Sequence, residues 1–315
     1  MKKIFIIFSV LTIMALSTIT ASAISGDGTE ESPFLITTEE EMVLLSDFSD
    51  CYFELSNDID LTEEWIANDF SGNFDGNNHT ITVSRFGTST RGGLFATMSG
   101  TVGNLKVVTD NTTFGEFTYF GIIAGNCSGK IKNCSVSGKI SVNENKKEMY
   151  YGGIAGVCSG EITNCSSDIY LNATLWNYSS SLAGSGRARM HYGGICGKLT
   201  GQIDSSAAKN TLSINLTGNH QNAVMYYGGI VSDIETNGTS ENSYSITNID
   251  TLSGSGYYYH AGVAYKNSGT ITNCYAVSES PTNNVYGISS NGTMSNCFYD
   301  KDVSGQSSTE YGTPK

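Results

Sequence analysis

One phrase constrains this chain more than any other feature, because it returns seven times between residues 91 and 300. An aromatic residue leads into Gly-Gly-Ile, then a further Gly, then Ile-x-Asn-Cys. The interval is roughly thirty residues, and self-similarity at that period means stacked supersecondary units. The clearest copy is YGGIAGVCSGEITNC (Tyr151–Cys165). Phe120–Cys134, Tyr192–Ser206 and His260–Cys274 follow it closely. Arg91–Leu105 is degenerate, Tyr227–Ser243 carries an insertion, and Val285–Cys297 is shortened. Helix-forming stretches are sparse, while Gly (36) and Tyr (18) are abundant and Pro is rare (3), a composition of short strands and tight turns. Coils of several short strands, stacked in parallel around a narrow core, make a β-solenoid.

Strand alternation then predicts faces. With Ile154 inward, Gly156, Cys158 and Ile162 also point in, while Tyr151 and Gly153 point out. Leu94, Ile123, Ile195, Ile230, Val263 and Ile288 share the repeat position of Ile154 and should form an apolar file up the core. A second file is Asn104, Asn133, Asn164, Asn242, Asn273 and Asn296. Asn tolerates turn conformations, and stacked amides hydrogen-bond to the coils above and below, so this ladder is expected to be structural. The longest gap, 41 residues from Ile154 to Ile195, contains Asn172–Arg189, expected to project as a loop carrying Trp176 and Tyr178.

The segment before the repeats differs in character. Residues 1–23 have the make-up of a secretory signal: Lys2 and Lys3, an apolar run around Ile4–Ile13, and Ala21-Ser22-Ala23 as the cleavage site. The expectation is export, secreted or cell-surface associated, with no transmembrane span in the mature chain. The net charge of −13 becomes −15 once Lys2 and Lys3 leave. Residues 24–84 hold fifteen Asp and Glu and no Lys or Arg, whereas 85–315 hold fifteen of each sign. Such an acidic stretch argues against nucleic acid and anionic membranes, and reads as a solvated cap. Calcium is the sharper reading for Asp58, Asp60 and Asp75, although no EF-hand spacing accompanies them. Thr38 and Glu41 make a capping box ahead of Met42–Leu45, which predicts one short helix. Domain boundaries follow: signal 1–23, acidic cap region 24–90, solenoid 91–300 and C-terminal tail 301–315.

The G-G-[IL]-x-G…G-x-I-x-N-C phrase resembles the GLUG repeat of bacterial secreted and cell-surface proteins. So does the preceding GDGTEESPFLI…NDIDL…FSGNFDGNNHTITV block. The resemblance covers nearly all of residues 26–310. It implies an all-β, right-handed parallel β-helix with a small N-terminal capping region, and an adhesin-like extracellular role. Such repeats also accompany IgA-cleaving metallopeptidases, whose H-E-x-x-H zinc motif is absent: none of His79, His191, His220 and His260 is followed by Glu. Peptidase activity therefore does not carry over.

The chemistry-bearing residues point to binding more than to catalysis. No nucleophile motif or metal cluster stands out, and no cofactor is expected. A polysaccharide-cleaving enzyme would need two carboxylates about 5–9.5 Å apart. Asp168, Asp204, Asp233 and Glu235 are the available ones. The cysteines form repeat-equivalent sets, Cys134, Cys165, Cys274 and Cys297 in one and Cys127 and Cys158 in another. Stacking at about 4.8 Å leaves both cross-coil disulfides and a file of buried thiols open. The candidate ligand-binding feature is the aromatic column Phe120, Tyr151, Tyr192 and Tyr227, with Tyr119, Tyr150, His191, Tyr226 and Tyr259 beside it. Alternation sends one column out and one in; an outward stripe suits an extracellular glycan or a host or cell-surface protein. A structural spacer of a larger surface protein is the alternative reading, with a polysaccharide-active enzyme behind it.

Overall fold

The computed structural model describes residues 24–87, 89–114, 117–176, 188–217, 223–279, 285–305 and 312–315. The complete coils visit four sheets in turn, and the first and last coils visit fewer. One coil shows the order: Tyr119–Gly121 in sheet 1, Ala124–Cys127 in sheet 2, Lys130–Lys132 in sheet 3 and Ser135–Glu144 in sheet 4. Among the described residues sheets 1 and 2 have seven strands each and sheets 3 and 4 ten each. Strands pair in parallel with the equivalent strand of the next coil, for example Phe120 with Tyr151 and Cys127 with Cys158. This is the parallel β-helix that the repeat and the resemblance imply.

Register follows from the interior. Ile123, Ile154, Ile195, Ile230, Val263 and Ile288 are fully buried in one file, with Leu94 at its head. Burying such a side chain contributes about 1.5–3 kcal/mol, and a shift in pairing would move the file out of alignment.

The corner between sheets 3 and 4 is made by the asparagines. Asn104, Asn133, Asn164, Asn242, Asn273 and Asn296 all sit near φ +50°, a left-handed conformation that Asn tolerates and most residues do not. Their amides run as a chain: Asn133 Nδ2 donates to Asn104 Oδ1 (3.0 Å), Asn164 to Asn133 (2.8 Å), Asn273 to Asn242 (3.0 Å) and Asn296 to Asn273 (2.6 Å). The coil lacking the Asn places Ser205 at the same φ, and Asn242 donates instead to Asp204 Oδ1 (2.8 Å). At the opposite corner, between sheets 1 and 2, the chain turns so tightly that a Cβ on Gly193 would lie 1.9 Å from the Cys196 carbonyl oxygen.

The acidic leading segment is continuous with this stack. Phe34–Ile36, Tyr52–Leu55 and Asn73–Asp75 are the first strands of sheet 3, and Ile59–Trp65 begins sheet 4. Its helical segment is a 3-10 turn, Glu40–Val43, running into an α turn, Leu44–Asp47, that buries Met42, Leu44 and Leu45. The capping contact is one-sided: Glu41 Oε2 accepts from the Thr37 N–H and hydroxyl (2.6 and 2.7 Å), while no side chain caps the helix from its N-cap position. Coil lengths differ mainly between sheets 4 and 1. Asn172–Trp176, expected in a loop, instead completes the sheet 4 strand Ser166–Trp176; Tyr178 lies outside the described residues.

Candidate functional site

The expected outward position of Tyr151 is overturned. Phe120, Tyr151, Tyr192 and Tyr227 are all fully buried. Their hydroxyls end on internal acceptors: Tyr151 donates to the Phe117 carbonyl (3.2 Å), Tyr192 to Asn210 Oδ1 (3.3 Å), and Tyr227 meets Thr247 Oγ1 (2.7 Å). The cause is the corner. The strand ends at Gly152 and the next begins at Ala155, so Gly153 and Ile154 turn the chain, and counting by twos through a turn does not preserve the face. Tyr151 and Ile154 therefore both point in. The predicted Phe120–Tyr227 column is core, continued by His260, also fully buried and with neither ring nitrogen hydrogen-bonded. Burial pushes the His260 imidazole down to about 3.

The neighbouring column takes the outward place. Tyr119, Tyr150, His191, Tyr226 and Tyr259 pair in register across five coils of sheet 1, with Arg91 at the head. Ring centroids are 6.1 Å apart for Tyr119–Tyr150, 4.5 Å for Tyr150–His191, 4.8 Å for His191–Tyr226 and 5.5 Å for Tyr226–Tyr259. The tyrosines are half-buried, so the ladder stabilises the sheet and also meets solvent.

At its centre His191 bridges coils. Its Nε2 lies 2.6 Å from Glu148 Oε1, and its Nδ1 lies 3.1 Å from Asp233 Oδ2 in poor hydrogen-bond alignment. Burial works against a charged imidazole here, but the Asp233 and Glu148 carboxylates outweigh it and hold the His191 pKa above its ordinary value. Burial likewise disfavours the charged Glu148 carboxyl, yet His191 and Arg189 hold its pKa below the usual range. Arg189 Nη1 sits 3.4 Å from Glu148, and Lys198 and Lys266 reach Glu235 at 3.1 and 3.9 Å. Glu148, Lys198 and Lys266 escaped the sequence reading, and Arg189, expected at the end of a loop, instead begins the sheet 1 strand Arg189–Gly193. They lie outside the repeated phrase or vary within it, and only register brings them to one face.

The remaining candidates disperse. Asp168 pairs with Lys209 (3.0 Å) on sheet 4, Asp204 serves the asparagine ladder on sheet 3, and Asp233 stands on sheet 2 with Glu235 just beyond it. Asp58 accepts from the Thr80 N–H (2.8 Å) and Asp75 from the Asn77 N–H (2.8 Å) and Asn104 (3.0 Å); both hold turns. Among the described residues no three His, Cys, Asp or Glu group as metal ligands would. Cys127, Cys134, Cys158, Cys165, Cys196, Cys274 and Cys297 are buried free thiols, with Cys134, Cys165, Cys274 and Cys297 each donating weakly to a carbonyl two residues back (3.2–3.3 Å).

No protein-family model and no curated protein matches the chain. Solved structures do. A protein from Bacteroides ovatus designated an immunoglobulin A1 protease superposes with a TM-score of 0.55 at 20% identity, covering 88% of this chain and 78% of that one. An IgA1 protease superposes with a TM-score of 0.52 at 18% identity over 84% of this chain. This chain spans about a fifth of that protein, 21% of its length. At such identities the likeness is one of fold.

Proposed function

We propose that the chain is a secreted or surface-displayed, non-catalytic interaction module of GLUG-repeat type, adhesin-like in role, that binds an extracellular glycan or protein. The observation that carries this reading is the half-exposed Tyr119–Tyr259 ladder with its bracketing charge pairs. The buried file of Ile123, Ile154 and Ile195 and the asparagine ladder already hold the coils together, so aromatic rings on the outer face exceed what packing requires. Tyr joins a broad apolar surface to a hydrogen-bonding tip, the chemistry common in recognition surfaces. The signal-like residues 1–23 support export.

One observation favours a second reading, that of a spacer. The fold match to the longer IgA1 protease occupies a small part of that molecule. Beads coated with the folded chain, incubated with mucin, plant cell-wall polysaccharide and collagen, separate the two. The binding reading expects retention of at least one, lost in Tyr119→Ala/Tyr150→Ala with an unchanged circular dichroism spectrum. Retention of none of them hands the chain to the spacer reading.

A further inference from the structure

The ladder ends in a cluster that the repeat does not explain. Register aligns Tyr265 with Gly125, Gly156, Gly197 and Ser232 of earlier coils, and Tyr286 with Gly121, Gly152, Gly193, Gly228 and Ala261. Scaffold positions that take glycine or a small residue coil after coil thus carry phenol rings in the last two. Tyr265 stands beside Tyr226 and Tyr259, and Tyr286 stands beside Tyr265. Tyr265 lies 5.0 Å from Tyr226, 5.5 Å from Tyr259 and 6.2 Å from Tyr286, and Tyr257 lies 6.4 Å from Tyr259. Tyr265 stacks on Tyr226 at 24° and is tilted 39° to Tyr259 and 51° to Tyr286, while Tyr257 at the edge of the cluster is 41% exposed.

Next to the cluster lies a cleft of about 320 Å³, lined by Leu216, Leu252, Ser253, Gly254, Gly256, Tyr257 and Tyr258. Tyr257 belongs to both. Charge narrows the occupant. In a protein of net charge −13, the carboxylates on this face are each matched: Glu148 with Arg189 and His191, Asp233 with His191, Glu235 with Lys198 and Lys266. Such a face neither attracts nor repels charge strongly. Among the described residues Tyr257 is the large, well-exposed side chain of this face, so the apolar surface on offer is aromatic.

We infer that Tyr226, Tyr257, Tyr259, Tyr265 and Tyr286, with the adjoining cleft, form a binding site for a neutral oligosaccharide. The rings offer stacking surface to pyranose C–H faces, and the phenols and paired charges offer hydrogen bonds to hydroxyls. The inference rests on the proposed binding role and names its ligand class.

Titration calorimetry with cellohexaose, mannohexaose and laminarihexaose tests it, with hexagalacturonate as the acidic counterpart. The expected result is binding of at least one neutral hexasaccharide, weakened at least about tenfold (~1.4 kcal/mol) in Tyr265→Ser/Tyr286→Ala. Those substitutions restore the residues of the preceding coils, so the circular dichroism spectrum should hold and the melting temperature should fall only modestly. Absence of binding by every neutral sugar, equal binding by the variant, or a preference for hexagalacturonate overturns the inference. Collagen retention that persists without sugar binding would sink this site while leaving the interaction role standing. Loss of all retention removes both.

Discussion

The asparagine corner shows how much one side chain contributes in a stacked fold. Asn164→Ala would place a Cβ-only residue at φ +51° and remove amide bonds to the adjoining coil. We expect a loss of about 1–3 kcal/mol in urea denaturation, the sum of left-handed strain and a broken hydrogen bond. Ser205→Asn runs the other way. It supplies the missing amide between Asn164 and Asn242, and should raise stability by about 0.5–1 kcal/mol. His260 carries a pH signature. Its folded value of about 3 lies below the ordinary 6.5, so its neutral form supports the fold fully above pH 6.5. That support is lost as pH falls toward 3, at about 1.4 kcal/mol per unit, or ~2 kcal/mol by pH 5. His260→Phe, matching Phe120 of the same column, should flatten the acid side of the stability–pH curve. An unchanged acid slope would refute the assignment. His191 has the opposite sign: its pKa is raised, so its contribution is present below about 6.5 and lost as pH rises through the folded value.

At the scale of the element, the two aromatic columns differ by one residue in sequence and by an entire environment in space. Tyr192→Ala empties a fully buried site and should cost about 3–5 kcal/mol. Tyr150→Ala removes one half-exposed ring from a ladder and should cost about 0.5–1.5 kcal/mol. Chemical denaturation of the two variants checks the contrast, and similar losses would contradict the assignment of faces. The repeat made the stacking of short strands and the Ile154 and Asn164 files readable, because identical spacing places equivalent residues in register. It did not make the Tyr151 face readable. Alternation holds within a strand, and Gly153-Ile154 is a corner. Ser166–Trp176 was obscured differently: its polar Asn172 and Thr174 resemble a loop, yet alternate with buried Leu171, Ala173 and Leu175 in a long strand.

For the whole molecule, charge is distributed along the stack as unevenly as along the chain. The first coils carry the fifteen acidic residues of segment 24–84 against Arg85 alone, which pairs with Glu64. Coils of a solenoid contact mainly their neighbours, so this repulsion should weaken that end locally and leave distant coils unaffected. Screening acts over about 10 Å at 0.1 M salt. Raising salt from about 0.02 to 0.2 M should therefore slow amide hydrogen exchange in the strands Tyr52–Leu55 and Asn73–Asp75 more than in Cys196–Leu199. Uniform protection along the stack would contradict this.

The amino-acid sequence alone determined that equivalent residues become neighbours along the axis, since a repeated phrase admits one register in which every apolar file closes. Which side of the wall each residue faces after a corner was decided by the tertiary structure, because a turn resets the alternation that strands obey. The charge pairs of Glu148, His191 and Asp233 belong to the same category. They come from different coils, and proximity across coils is a property of the stack.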